Sequence, residues 1–162
     1  MSKPDSLCYM PWAGFSNNPD GTVRPCCLFK DTMQLSSFVK KKFTLGYSAM
    51  NINEGLPNFM VKKLGEKYNL KKMSVGILGL SFKADIDDTR DSLSFKLHKI
   101  LKKKCKNVLV SDEHYVHTEG ITKETLIKKS NIIILAVPHK EYKNLKFPKK
   151  KIIIDTWGII KK

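Results

Sequence analysis

Four short apolar runs organise the second half of the chain: Val75-Gly76-Ile77-Leu78-Gly79-Leu80, Val108-Leu109-Val110, Ile132 to Val137, and Ile152-Ile153-Ile154. Runs this short, set between helical patterns, read as strands of a parallel sheet buried on both faces. Between the first two, Leu93, Leu97, Ile100 and Leu101 fall at i, i+4, i+7 and i+8. That spacing makes one apolar stripe on a helix whose other faces carry lysines, with Asp91 or Ser92 as its cap. A shorter helix fits residues 123 to 129, and one further turn fits 141 to 145. The pattern predicts an α/β fold class, a small Rossmann-like parallel sheet flanked by helices, over residues 73–162.

Upstream, Tyr47 to Tyr68 has mixed helical periodicity, with Leu56, Met60 and Leu64 on one face and Pro57 as a kink or first-turn residue. One broken helix is expected there. Residues 1 to 25 are rich in Pro, Gly, Asn and Asp, which predicts irregular structure or short hairpins.

Composition narrows the class. With 162 residues and 41% apolar content, there is room for one α/β domain plus an appendage, but not for two full domains. No run approaches the ~18 to 20 apolar residues of a membrane span, and no basic and apolar leader opens the chain. A soluble cytoplasmic protein without membrane contact is expected. Thirty Lys plus Arg against fifteen acids give a formal charge of +15. That excess fits either a phosphate-rich partner or solvated lysines. The lysine clusters 40–42, 102–104 and 149–151 have no interleaved aromatics to stack bases, which argues against nucleic acid. The cysteines, Cys8, Cys26, Cys27 and Cys105, include an adjacent pair, a poor arrangement for a disulfide framework or a closed zinc site. Reduced thiols are expected. His98, His114, His117 and His139 share no ligand spacing on one helical face, so no metal site is expected.

In an open α/β sheet, ligands sit outside the carboxyl ends of the strands. The loop after the first strand reads Ser81-Phe82-Lys83-Ala84-Asp85-Ile86-Asp87-Asp88-Thr89-Arg90. The Gly76-x-x-Gly79 spacing before it is not the dinucleotide fingerprint and leaves phosphate binding open. Lys83 either neutralises a phosphate or is solvated. Arg90 either binds an anion or pairs with Asp87 or Asp88. Asp112, closing the second strand, either meets a ribose hydroxyl or caps the next turn. Cys27, Lys30 and Asp31 place a thiol, a cation and a carboxylate within five positions, a grouping that suits covalent chemistry at a carbonyl.

Cys27-Leu28-Phe29-Lys30-Asp31-Thr32-Met33-Gln34-Leu35 resembles the catalytic-cysteine segment of the UDP-glucose/GDP-mannose dehydrogenase family. Asn53-Glu54-Gly55-Leu56-Pro57-Asn58-Phe59 is similar to the stretch leading out of that family's central dimerisation helix. Val75 to Ser92 is similar to the opening strand and loop of its carboxyl-terminal UDP-binding domain, and the likeness continues through Pro138-His139-Lys140-Glu141-Tyr142 to Ile154-Asp155-Thr156-Trp157.

The resemblance implies three regions: 27–72 as a remnant of the cysteine segment and central helix, 73–162 as the nucleotide-sugar domain, and 1–26 outside both. It implies an NAD-dependent 6-dehydrogenase that oxidises a UDP-sugar to a UDP-uronate through a cysteine thioester. Cys27 would be the nucleophile, Asp31 would assist the proton and water steps, and Lys30 would support them. Phe82 and Lys83 would contact the sugar nucleotide, and Arg90 would reach toward NAD. Partners would be the nucleotide sugar, a second copy of the chain, or a separate chain supplying the NAD domain, which is expected to be absent here. Two departures stand out: Arg24-Pro25-Cys26 replaces the glycines usual before the cysteine, and Trp157-Gly158 stands where a basic residue is common. Cys8-x-x-Pro11-Trp12 with Asp20-Gly21-x-x-x-Pro25-Cys26 resembles instead the start of a SPASM or twitch domain of radical-SAM enzymes. A non-catalytic basic binding module, or a chimeric remnant, is the alternative expectation.

Overall fold

The computed structural model describes residues 15–17, 23–25, 38 and 44–160. The chain divides into two compact units, residues 1–55 and 56–162. In the first, strands β1 (Phe15–Asn17) and β2 (Val23–Pro25) pair antiparallel, Phe15 opposite Pro25. Short hairpin pairing is thus present in a segment whose composition also allowed irregular structure.

Helix α1, Thr44–Lys67, begins in the first unit and ends in the second. It is continuous, not broken as expected, although Pro57 lies inside it. Proline removes only one backbone donor, and the carbonyl deprived of its partner belongs to Asn53, an exposed residue where water can replace it. The buried face is also turned by about one position from the expected stripe. Pro57, Val61 and Leu64 are buried, whereas Leu56 is exposed and Met60 half-buried. Val61 and Leu64 enter the sheet's core, and that packing selects the face.

The second unit is built on a four-stranded parallel sheet of β3 (Ser74–Leu78), β4 (Asn107–Ser111), β5 (Ile132–Leu135) and β6 (Ile152–Asp155), in the order β4-β3-β5-β6. Val75 stands opposite both Val108 and Ile132, and Ile132 opposite Ile152. The period of two along each strand splits the core. Val75, Ile77, Ile132 and Ile134 join Val61 and Leu64 with Leu97 and Leu101 of helix α2 (Leu93–Lys102). Leu78, Ile133 and Leu135 join Leu126 and Ile127 of helix α3 (Lys123–Lys129), together with Tyr142. Helices therefore cover both faces, which is why the strand sequences carry no polar alternation.

The ends of the elements follow side-chain capping. Ser92, not Asp91, caps α2, its hydroxyl accepting from the Ser94 N–H, while Asp91 takes a positive φ of 58°. Thr122 caps α3 in the same way. The turn expected at 141–145 is a single 3-10 turn one residue earlier, Lys140–Tyr142. Gly76 lies on the α3 face, where a Cβ would come within 2.4 Å of Leu126 Cδ2 and 2.5 Å of Ser130 Oγ. The absent side chain lets helix and strand close on each other.

Candidate functional site

Because β4 and β5 lie on opposite sides of β3, the chain reverses direction across the sheet there, and the loops after β3 and β5 face one another at the carboxyl edge. Asp112, immediately beyond β4, holds this edge together. Its Oδ2 accepts hydrogen bonds from the Leu80 and Ser81 N–H groups, and its Oδ1 accepts from the N–H of His114 and of Tyr115 at 2.8 and 2.9 Å. His139 Nε2 is 3.2 Å from the same Oδ2 and 3.1 Å from the Ser81 hydroxyl. Burial alone would raise the Asp112 carboxyl, but these hydrogen bonds, led by the one from His139, outweigh it and hold the group well below the ordinary carboxylate range.

Asp112 therefore caps a turn, as one sequence reading had it, and also fastens the β3 loop, which spacing did not show. The consequence reaches the glycines. In dinucleotide folds the amides after the first strand cradle a phosphate. Here those of Leu80 and Ser81 are taken by Asp112, and the Gly79 N–H donates to Ser111 O. Gly79 itself has φ of 92°, and a Cβ there would lie 2.4 Å from Val137 Cβ. Both glycines answer to packing, and the Gly79, Leu80 and Ser81 amides are not free to meet an anion.

The loop that follows is fixed at several points. Phe82 N–H donates to Asp88 O at 2.6 Å, Ser92 Oγ to Ser81 O, and Asp85 N–H to His139 Nδ1 at 2.9 Å. With Nδ1 accepting, the His139 proton sits on Nε2 and points to Asp112. Ser81, His139 and Asp112 are buried together, but one imidazole nitrogen serves both neighbours, so this is a structural junction and not a nucleophile relay. His139 was expected in a loop, and it is in one, yet fully buried.

On this anchored loop, Phe82 and Lys83 project side by side, both exposed, with Lys83 Nζ 5.7 Å from the Phe82 ring centroid. Lys83 has no ion-pair partner among the described residues. Arg90, by contrast, is held by Asp88 through contacts of 2.8 to 3.2 Å, the second of the alternatives its sequence left open. The hydrogen bonds from Arg90 lower the Asp88 carboxyl to about 2. At the end of β6, Asp155 accepts from the N–H groups of Trp157, Gly158 and Ile160, and Trp157 Nε1 donates to Ala136 O at 2.9 Å. Cys27, Lys30 and Asp31, and the cysteines Cys8 and Cys26 of the SPASM-like pattern, lie outside the described residues.

The family model described as the UDP binding domain of the UDP-glucose/GDP-mannose dehydrogenase family matches residues 76–162, more than half of the chain. The chain belongs to this family. UDP-N-acetyl-D-mannosamine dehydrogenase of Pyrococcus horikoshii is 35% identical over 146 residues, covering 83% of this chain and 35% of that protein. The solved structure of UDP-D-ManNAc dehydrogenase from the same organism superposes with a TM-score of 0.73 at 31% identity, over 83% of this chain and 35% of that one. A UDP-glucose dehydrogenase from Pyrobaculum islandicum, 24% identical with a TM-score of 0.68, covering 80% of this chain and 33% of that one, shares the fold. The chain thus spans about a third of the length of these relatives, 35% in the first case. Within that span it carries the family's carboxyl-terminal, Rossmann-like UDP-binding domain. Among the described residues no helix is long and apolar enough to cross a membrane.

Proposed function

We propose that this chain binds the nucleotide of a UDP-sugar on the loop carrying Phe82 and Lys83, as the substrate-binding part of a nucleotide-sugar 6-dehydrogenase acting in the cytoplasm. The observation that carries the reading is the unpaired Lys83 beside the exposed Phe82 ring, on a loop anchored through Asp112 and His139. An ammonium free of carboxylates supplies charge for a diphosphate, and an exposed ring supplies a face for the uracil or sugar.

NAD is the oxidant implied by the resemblance, and the described residues do not fit it. The β3 loop amides are filled by Asp112, and Arg90 is neutralised by Asp88. A dinucleotide would be held outside these residues, and Arg90 would reach it only by leaving Asp88. In the proposed reaction Cys27 would add through sulfur to the C6 aldehyde of the bound sugar, its proton passing to the new oxygen; the thiohemiacetal becomes a thioester only by losing a hydride and a proton, and NAD held outside the described residues would supply the hydride acceptor. Water hydrolyses that thioester to the carboxylate and free thiol, with Asp31 taking the water proton and Lys30 steadying the developing negative charge. A separate NAD-binding chain would complete the enzyme, and a second copy of this chain would pack on the apolar face of α1 without supplying that part.

Thermal unfolding tests the binding reading. At ~100 times its dissociation constant a nucleotide sugar stabilises by about 2.7 kcal/mol, a rise of roughly 5 to 11 °C for a chain this size. UDP and UDP-sugars are expected to raise the midpoint, NAD to leave it unchanged, and Lys83→Ala to abolish the rise. A rise that survives Lys83→Ala overturns the assignment. Affinity that depends steeply on salt but not on the sugar would favour a basic binding module instead.

A further inference from the structure

The carboxyl edge holds a second cluster that the nucleotide reading does not use. Asp85, on the β3 loop, His114, two residues beyond Asp112, and Glu141, in the 3-10 turn after β5, converge from three separate segments. His114 Nε2 lies 3.6 Å from Asp85 Oδ1 and 3.5 Å from Glu141 Oε2. Together with His139 Nδ1, these donor atoms all fall within 4.8 Å of one another. His114 Nε2 and Glu141 Oε2 are shielded from solvent, and neither has a hydrogen-bond partner. A buried acceptor and a buried ring nitrogen left unmet are costly, and native folds rarely tolerate two side by side.

We propose that Asp85, His114 and Glu141 form a binding site for a divalent transition cation of the zinc class. The spacing favours this over direct hydrogen bonding. Separations of 3.5 and 3.6 Å are too long for a good hydrogen bond. They match the ~3.3 to 3.6 Å between neighbouring ligands of a tetrahedral ion with bonds of about 2.0 to 2.2 Å. One imidazole with two carboxylates is a mixed nitrogen and oxygen set that suits zinc, cobalt or manganese better than magnesium. Three protein ligands leave a fourth position for water or another ligand.

The surrounding bonds hold these donors in place. Asp85 Oδ1 also accepts from the Lys140 N–H at 3.0 Å, which orients the carboxylate. His139 Nδ1 is occupied by the Asp85 N–H, so His139 is a positioning residue, its ring tilted 45° to that of His114 at 4.8 Å between centroids, and not a ligand. A bound ion would tie the ends of β4 and β5 to the loop that carries Phe82 and Lys83.

The test uses the full chain, stripped with a chelator and titrated with zinc while unfolding is followed by circular dichroism. Zinc at ~100 times its dissociation constant is expected to raise the midpoint by roughly 5 to 11 °C, with magnesium ineffective. Glu141→Gln and His114→Ala, each checked for an unchanged metal-free spectrum, are expected to weaken zinc at least ~10-fold, the usual scale for losing support of a metal site. Cobalt in the unmutated chain gives an independent readout, with visible bands of a tetrahedral nitrogen and oxygen site and no thiolate charge-transfer band. Three results would overturn the proposal: no response to zinc, a response in both variants as strong as in the unmutated chain, or a thiolate band placing the metal on the cysteines.

Discussion

His139 Nε2 and Asp112 Oδ2 lie 3.2 Å apart with both side chains fully shielded from solvent, and the junction they form joins the ends of three parallel strands. Asp112 works only as an acceptor at both oxygens. In Asp112→Asn one oxygen becomes an NH2 group, and either orientation turns that donor toward backbone N–H groups, at Leu80 and Ser81 or at His114 and Tyr115. Leaving buried donors unmet should cost roughly 2 to 4 kcal/mol. Urea unfolding should show a lower midpoint with an unchanged slope, and a loss below about 0.5 kcal/mol would contradict the junction.

Acid should act on the same atoms. The Asp112 carboxyl is held below its ordinary value in the folded chain, so the unfolded chain takes up the proton first as pH falls. Its contribution is therefore fully present above about pH 4 and is lost as pH drops further. Unfolding free energy measured from pH 6 to pH 2 should fall more steeply for the unmutated chain than for Asp112→Asn. Parallel curves would count against this assignment.

Much of this architecture was legible from spacing. The four apolar runs became the four strands, Leu97, Ile100 and Leu101 of the expected stripe faced the core while Leu93 is half-buried outside it, and residues 123–129 formed the expected helix. Ser81, Asp112 and His139 were not legible as a group, because 31 residues separate the first two and 27 the last two. Only strand order brings them together. A partial signal existed, since Asp112 and His139 each follow an apolar run that ends at the carboxyl edge. The rotation of the α1 face was equally hidden, because Leu56, Met60 and Leu64 satisfy helical spacing as well as the buried set does.

The glycines give a sharper mechanical prediction. Gly79→Ala places a side chain at φ of 92° and a Cβ 2.4 Å from Val137, so strain and overlap add. A loss of about 3 kcal/mol or more is expected. Gly76→Ala meets the Leu126 side chain and Ser130 Oγ at normal backbone geometry, and should cost less, about 1 to 3 kcal/mol. Reversal of that order in urea titrations would show that Val137 yields more easily than α3.

The exposed face of α1 carries the last prediction. Leu56 and Phe59 remain 47% and 59% exposed although both are large and apolar, and at i and i+3 they share one side of the helix. Lys63 Nζ, 6.0 Å from the Phe59 ring centroid, covers only part of it. Apolar surface of this kind, opposite the buried Pro57, Val61 and Leu64, is surface that association would bury. The double variant Leu56→Glu/Phe59→Glu should leave the unfolding midpoint of the isolated chain nearly unchanged, since neither side chain is in the core. In sedimentation velocity at tens of micromolar, the unmutated chain should contain a species of twice the mass that the double variant lacks. A monomer in both cases would remove self-association through α1 from the proposed assembly and leave a separate chain as the candidate to cover that face.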